Sequence, residues 1–449
     1  MSRQIPPLPK QRVPLVPLLI VAGVVFGALM YFVIPMLVSS TYVEPSVTTE
    51  ESYKEVANEP ATPPAADAPR KRYLTTPEPL KAIYMSQCVV GTPGFRQDLV
   101  DLIDETELNA VVIDVKDYTG KLSFTTDDPL LVGSVSDACG ATDMESFLDT
   151  LREKNIYTIA RITVFQDPYY TVLHPETAVK KASDPSALWS DNKGLHFIDV
   201  GAKPYWEYLI ALSKETRAVG FDEINYDYIR FPSDGPMSDI YFPYSNGKEK
   251  PVALEEFFKF LHGEMKNPDN FPKGEPLPVI SADLFGMTTT NTDDLNIGQQ
   301  LERALPYFDY IAPMVYPSHY PKTFNGWSDP NLYPYELIKY VMEGAVRRTI
   351  ATESKVPTIG AEKIMKTEVV TPASSTTPAV TREVWSGMYK KEAYSKLKMR
   401  PWLQDFDYGG NYDIAEVKGQ IQATYDVGLT SWMLWAPSNR YTRGALENQ

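Results

Sequence analysis

Cysteine and histidine are both scarce in this chain of 449 residues, which has two cysteines, Cys88 and Cys139, and four scattered histidines, His174, His196, His262 and His319. No spacing among them suits zinc ligation, so no metal is expected, and nothing calls for a cofactor. A Gly-x-Ser-x-Gly elbow is absent, which removes the serine-nucleophile arrangement of α/β-hydrolases. No glycine-rich loop follows the first strand pattern, which argues against an open nucleotide-binding sheet. Positive charge is also in deficit: Lys and Arg number 43 against 58 Asp and Glu, a net charge of −15. Such a surface repels a phosphate backbone, so nucleic acid is excluded as the main partner. What the chain does have is apolar material, 43% hydrophobic and 12% aromatic, enough for a large core.

Charge is missing altogether from residues 13–43, and 15–38 is almost wholly apolar. That exceeds the roughly 20 residues a helix needs to cross a bilayer. Arg3, Lys10 and Arg12 precede the run, whereas Glu44, Glu50 and Glu51 follow it. The positive-inside rule then gives a cytoplasmic segment at 1–12, a signal anchor at 13–38 with the lipid bilayer as its partner, and an extracytoplasmic remainder. A cleaved signal ending near Ser40 is the alternative. Residues 39–80 are rich in Pro, Thr, Ala and Glu without apolar periodicity, the pattern of a disordered spacer.

From 81 to 445 short apolar runs alternate with helical patterns. Strands are expected at 82–86, 110–116, 156–164, 221–232, 278–285, 309–316, 400–406 and 429–436. Between them, Thr92-Pro93 opens a helix, Thr142 and Glu145 make a capping-box pattern, and further helices are expected at 204–220, 254–265, 297–305, 334–347 and 414–427. Eight such units predict an α/β fold, a (β/α)8 TIM barrel with the eighth helix short or absent. A Ser/Thr/Pro-rich stretch near 366–382 reads as a surface insertion. In this fold Cys88 and Cys139 fall in loops after neighbouring strands, where they form either a disulfide or two free thiols.

The fourth strand carries the most information. Its period of two places Glu223, Asn225 and Asp227 on one face and Ile224, Tyr226 and Tyr228 on the other. Carboxylates are not buried unpaired, because each would cost several kcal/mol. Catalysis in a barrel sits at the C-terminal strand ends, which favours Asp227. Glu223, roughly 13 Å deeper at the usual rise per residue, is expected to pair inside, with Arg161 as its partner. Other strand ends contribute Asp114 and Lys116, which share a face, then Asp283, Tyr316, and either Gln404 or Asp405. Trp435 follows as a sugar-stacking platform or as core. Carboxylates and aromatics around one mouth suit glycosidic-bond cleavage, in which one acid protonates the leaving oxygen and a second carboxylate attacks or activates water. The preferred catalytic pair is Asp227 with Asp283, the alternative being Asp227 with Asp405. Asp114, Lys116, Asn225, Tyr316, Gln404 and Trp435 are the candidate substrate-binding residues.

Residues 108–117 (Leu-Asn-Ala-Val-Val-Ile-Asp-Val-Lys-Asp), 156–168, 221–232, 400–406 (Arg-Pro-Trp-Leu-Gln-Asp-Phe) and 432–441 occur in an order that resembles the glycosyl hydrolase domain family DUF4015, a bacterial TIM-barrel family. The resemblance runs from about Tyr84 to Tyr441. It implies a glycoside-hydrolase-like barrel acting on a polysaccharide. Many hydrolase barrels carry glutamates at the ends of strands four and seven, whereas this chain offers aspartates. Two functions follow as expectations: a membrane-anchored hydrolase of a cell-wall or extracellular polysaccharide, or a non-catalytic carbohydrate-binding barrel for wall attachment or assembly. Oligomeric state is not legible.

Overall fold

The computed structural model describes residues 73–373 and 375–449. The cytoplasmic segment, the anchor at 13–38 and the linker up to residue 72 lie outside the described residues. Among those described, no helix is long and apolar enough to cross a membrane.

Eight parallel strands close into a barrel: β1 Lys81–Met85, β2 Ala110–Lys116, β3 Tyr157–Thr163, β4 Glu223–Asp227, β5 Val279–Phe285, β6 Tyr310–Met314, β7 Trp402–Gln404 and β8 Trp432–Trp435. Each pairs with its neighbour in sequence, and Lys81 opposite Trp432 closes β1 onto β8. Between successive strands come α1 Pro93–Asp104, α2 Met144–Glu153, α3 Lys203–Val219, α4 Lys250–Met265, α5 Leu301–Ala304, α6 Pro334–Ile350 and α7 Ile414–Asp426. After β8 only a short 3-10 turn, Arg443–Ala445, follows. This is a (β/α)8 TIM barrel, in which no full eighth helix is found among the described residues.

The pleat sorts side chains between two cores. Ile224 and Tyr226 of β4 face the helices, joining Leu209, Leu212 and Phe308, and the Tyr226 hydroxyl donates to Ser213 of α3 at 2.9 Å. Burying a large apolar side chain there stabilises the fold by about 1.5–3 kcal/mol. Tyr84, Val112, Ile159, Ala312, Trp402 and Met433 instead fill the barrel interior.

Helix and loop details depart from the sequence pattern at identifiable points. α2 has Asp143 rather than Thr142 at its N-cap, held by Arg96 at 2.8–2.9 Å. A full capping box is made instead by Asp413 and Glu416 on α7. Where the Ser/Thr/Pro-rich stretch was read as an insertion, strands Lys363–Thr371 and Val380–Lys390 form an exposed antiparallel hairpin between α6 and β7. Its β-branched residues supply the alternation that a strand needs. The end of the expected linker is ordered as well. Leu74 donates its backbone N–H to Asp222 at 2.7 Å, the Tyr73 ring lies 3.2 Å from the Arg217 guanidinium, and Leu80 is buried, so packing begins ahead of residue 81.

Cys88, just after β1, and Cys139, in the loop after β2, are joined by a disulfide. The two loops meet so closely that a Cβ on Gly91 would lie 2.2 Å from the Gly140 carbonyl oxygen.

Deep in the barrel Glu223 is paired, but with Arg400 rather than Arg161, at 2.9 and 3.2 Å. Register explains the correction: Ile159 stands opposite Glu223, and Arg161 lies one pleat higher, opposite Asn225. Arg400 reaches across from the residue two before β7, its guanidinium 3.0 Å from the Tyr310 ring centroid, and Tyr157 donates to the same carboxylate at 3.1 Å. Removing one partner strands the other charge in the core. Arg400→Met is therefore expected to cost about 3–5 kcal/mol in urea unfolding. A loss below about 1 kcal/mol, the value of an exposed pair, would contradict this role.

Candidate active site

Arg161 lies at the centre of the C-terminal mouth, 6% exposed, with three aspartates around it. Its Nη1 donates to Asp114 Oδ1 at 2.5 Å and its Nη2 donates to Asp227 Oδ2. Its Nε stands 3.9 Å from Asp283 Oδ2 and has no hydrogen-bond partner. Burial works against the guanidinium's charge, yet Asp114 and Asp227 together hold its pKa well above the usual value. β2, β3, β4 and β5 each supply one member of this group, because adjacent parallel strands bring their inward residues to neighbouring heights.

The three carboxyls are held differently. Asp114 accepts from Arg161 and from the Tyr84 hydroxyl; burial raises its pKa, against the pull of Arg161. Asp227 accepts from Arg161 through one oxygen and from the backbone N–H of Tyr228 through the other, at 2.5 Å. That second bond accompanies a left-handed Tyr228 (φ 50°), a conformation uncommon outside glycine and typical of constrained sites. Asp283 meets only neutral donors at hydrogen-bond distance: Asn225 Nδ2 at 2.9 Å and Trp402 Nε1 at 2.8 Å, both on Oδ1. Burial, followed by the charge of Asp227, pushes its pKa well above the ordinary carboxylate range.

Asp227, Asp283, Tyr316 and Trp435 line one inner cavity of about 280 Å³. A larger opening of about 850 Å³ extends over the loops after β1 to β4 and includes Asp114 and Lys193. Another, of about 810 Å³, extends over the ends of β6 to β8 and includes Asp405, Tyr408 and Arg440. Trp435 borders all three, stacked on Tyr84 at 4.0 Å and edge-on to Trp402 at 5.5 Å.

Several residues expected at the mouth lie elsewhere or act indirectly. Lys116 does not share a face with Asp114, because a register irregularity between them turns it outward. It is fully buried, pairs with Asp167 at 2.8 Å, and donates to the Thr163 carbonyl at 2.6 Å and the Tyr205 hydroxyl of α3 at 3.2 Å. Gln404 is likewise enclosed: it accepts from the Ser318 N–H at 3.1 Å and its hydroxyl at 2.8 Å, and it donates to the Phe406 carbonyl. It shapes the loop after β6 and lines neither the inner cavity nor its two openings. Asp405 borders the outer opening, where Thr442 donates to both its oxygens, and it does not share the inner cavity with Asp227. Asn225 does not line the inner cavity either; it holds Asp283 and Ser281.

Sequence reasoning missed the central role of Arg161, and with it Tyr84, Trp402 and Arg230. One signal was available: an arginine in the middle of Tyr-Thr-Ile-Ala-Arg-Ile-Thr, in phase with inward Ile159, must pair within the barrel.

Comparison with known proteins agrees with this architecture. The family model described as "Putative glycosyl hydrolase domain", DUF4015, matches residues 82–368 and 365–441. The glycoside hydrolase domain of PgaB (BpsB) from Bordetella bronchiseptica superposes with a TM-score of 0.51 at 12% identity, over 82% of this chain and 99% of that one, a likeness of fold. A hypothetical protein from Ruminiclostridium thermocellum is 33% identical over 45% of this chain and 96% of its own, with a TM-score of 0.38. No curated protein sequence matches significantly. With its eight-stranded barrel, its carboxyl-lined mouth and a family match covering most of the described residues, the chain belongs to the DUF4015 glycosyl hydrolase domain family.

Proposed function

We propose that this barrel hydrolyses a glycosidic bond, with Asp283 as the acid and Asp227 as its partner carboxylate. The observation that carries the reading is that two carboxyls on adjacent strand ends line one cavity in opposite chemical states of binding. Asp227 is matched by a guanidinium and a backbone N–H, whereas Asp283 has only neutral donors. Separating the environments of two carboxyls is how one site sustains both acid and base roles. Both neutral donors engage Asp283 Oδ1, which leaves its proton on Oδ2, the oxygen nearer Arg161. That proton passes to the glycosidic oxygen as the C–O bond breaks. Asp227 faces the positive charge that develops at the sugar ring; water supplies the new hydroxyl, and its remaining proton returns to the Asp283 carboxylate.

The openings on either side of the inner cavity suit a polymer lying across the mouth, so the substrate is a polysaccharide. The charge-free run at 13–38 supports membrane anchorage with the barrel on the extracytoplasmic side, where a cell-wall or extracellular glycan is within reach. A second reading, a barrel that binds glycan without cleaving it, draws on the occupation of both Asp227 oxygens by protein donors. The cavity beside Asp283 favours hydrolysis.

In a screen against purified wall glycans, Asp227→Asn and Asp283→Asn are each expected to lower reducing-sugar release at least about hundredfold with the fold intact by circular dichroism. Unchanged release would sink the assignment. Glycan retention that survives Asp227→Asn but falls in Trp435→Ala, without any release by wild type, would establish the binding reading instead.

The raised Asp283 pKa also fixes the sign of a stability effect. A carboxyl whose folded-state pKa is raised stabilises the protein fully below its unfolded value and loses that contribution as pH climbs through the folded value. Relative to Asp283→Asn, which stays neutral, the wild type is thus expected to lose melting temperature as pH rises above about 4. Parallel pH profiles for the two proteins would show instead that Asp283 ionises normally.

A further inference from the structure

Arg230 is a buried cation at the mouth that the reaction above leaves unused. It is 8% exposed and lines both the inner cavity and the opening toward β1 to β4. Among the described residues, each of the other buried arginines meets a carboxylate or several carbonyls. Arg161 has Asp114 and Asp227, Arg303 has Glu255, and Arg400 has Glu223. Arg217 donates to the carbonyls of Phe221, Asp222 and Pro276. Arg230 makes one such bond, from Nη1 to the Phe231 carbonyl at 3.1 Å, and no ion pair. Its guanidinium is held between rings, 4.9 Å from the Tyr228 centroid and 5.4 Å from that of Phe285.

A guanidinium presents five N–H donors in a planar fork that matches a carboxylate. Burying it with one partner is costly, and burial does pull its pKa below the usual arginine value. Nearby carboxylates offset this only in part. Asp227 is taken by Arg161 and the Tyr228 N–H, and Asp191 accepts the backbone N–H groups of Lys193 and Leu195 at 2.9 and 2.8 Å. Asp234 is exposed, 3.5 Å from Asn192. The neighbouring cavity wall, Phe285, Met287 and Met314, is apolar and would strengthen any charge pair formed there.

We infer that Arg230 anchors an anionic substituent on the sugar in the inner cavity, so that the glycan taken by this barrel carries carboxylates. This rests on the reading of the cavity as a glycan site and adds the substrate's charge to it. The net charge of −15 opposes a polyanion at long range. At physiological salt that field is screened within about 8 Å, which leaves the local contact to decide.

The test compares matched probes by affinity electrophoresis and by product release, with the full chain in detergent. The probes are polygalacturonate against its methyl ester, for a uronate, and muramate-containing wall oligosaccharides with the lactyl carboxyl free or amidated. Wild type should prefer the free acid in at least one pair, and the pair identifies the carboxylate's source. In Arg230→Gln that preference should shrink at least about tenfold, with Arg230→Lys retaining part of it. Equal binding of acid and neutralised forms by wild type would overturn the proposal. So would a preference for amine-bearing glycans, or a preference that survives Arg230→Gln in a protein with wild-type circular dichroism. Should Arg230→Gln fail to fold, Arg230→Lys and the wild-type pairs decide alone. Acid-selective binding without any cleavage would defeat hydrolysis and keep this inference. Cleavage of neutral glycans without acid preference would do the reverse.

Discussion

A guanidinium buried among three aspartates sets the terms for the rest of this site. Arg161 makes hydrogen-bonded pairs with Asp114 and Asp227 and leaves Asp283 at 3.9 Å. One positive charge cannot offset three negative ones in a poorly solvated space. The carboxyl whose pKa is raised furthest is the one with no charged partner at hydrogen-bond distance. Burial and the charge of Asp227 make Asp283 that carboxyl, against the pull of its donors Asn225 and Trp402, while Tyr84 adds a donor to Asp114 and the Tyr228 backbone adds one to Asp227. The chemistry proposed for the barrel follows from this division.

Depth separates that site from the scaffold that holds it. Glu223 and Arg400 close a charge pair at the lower level of the barrel, and the Asp227 layer sits one strand-length above. Outside the strands, Lys116 and Asp167 tie the turn after β3 to β2, with Tyr205 of α3 against them. The disulfide between Cys88 and Cys139 joins the first two loops of the mouth. Each buried charge in these supports is matched, so the cation without an ion pair at Arg230 and the carboxyl of raised pKa at Asp283 mark where a ligand has work to do. Both lie on the wall of the same inner cavity.

Much of the barrel was legible because its strands are apolar runs between clear helix starts. β2 spans the expected 110–116, and Pro334 opens α6 as the pattern indicates. Shorter elements were less readable. The helix expected at 297–305 shrinks to Leu301–Ala304, after left-handed Leu295 and Asn296 turn the chain. β7 covers Trp402–Gln404, since Pro401 has no N–H to donate to the ladder. In the site, period two was enough to bring Asp227 and Asp283 to one mouth. It could not give the height of Arg161 relative to Glu223, which depends on inter-strand register. Nor could it anticipate the irregularity that turns Lys116 outward, or the loop after β6 that encloses Gln404. Pairing across the barrel, as between Arg400 and Glu223, is set by closure and leaves no trace in local sequence.

The claim on which the account rests is that Asp283 keeps its proton beside Arg161. Carbon-13 NMR of aspartate carboxyls, comparing wild type with Asp283→Asn, reads this directly. The account predicts one carboxyl resonance that titrates well above the ordinary aspartate range and is missing from the variant. If every aspartate carboxyl of the wild type titrates at or below its usual value, the division of roles between Asp283 and Asp227 is wrong.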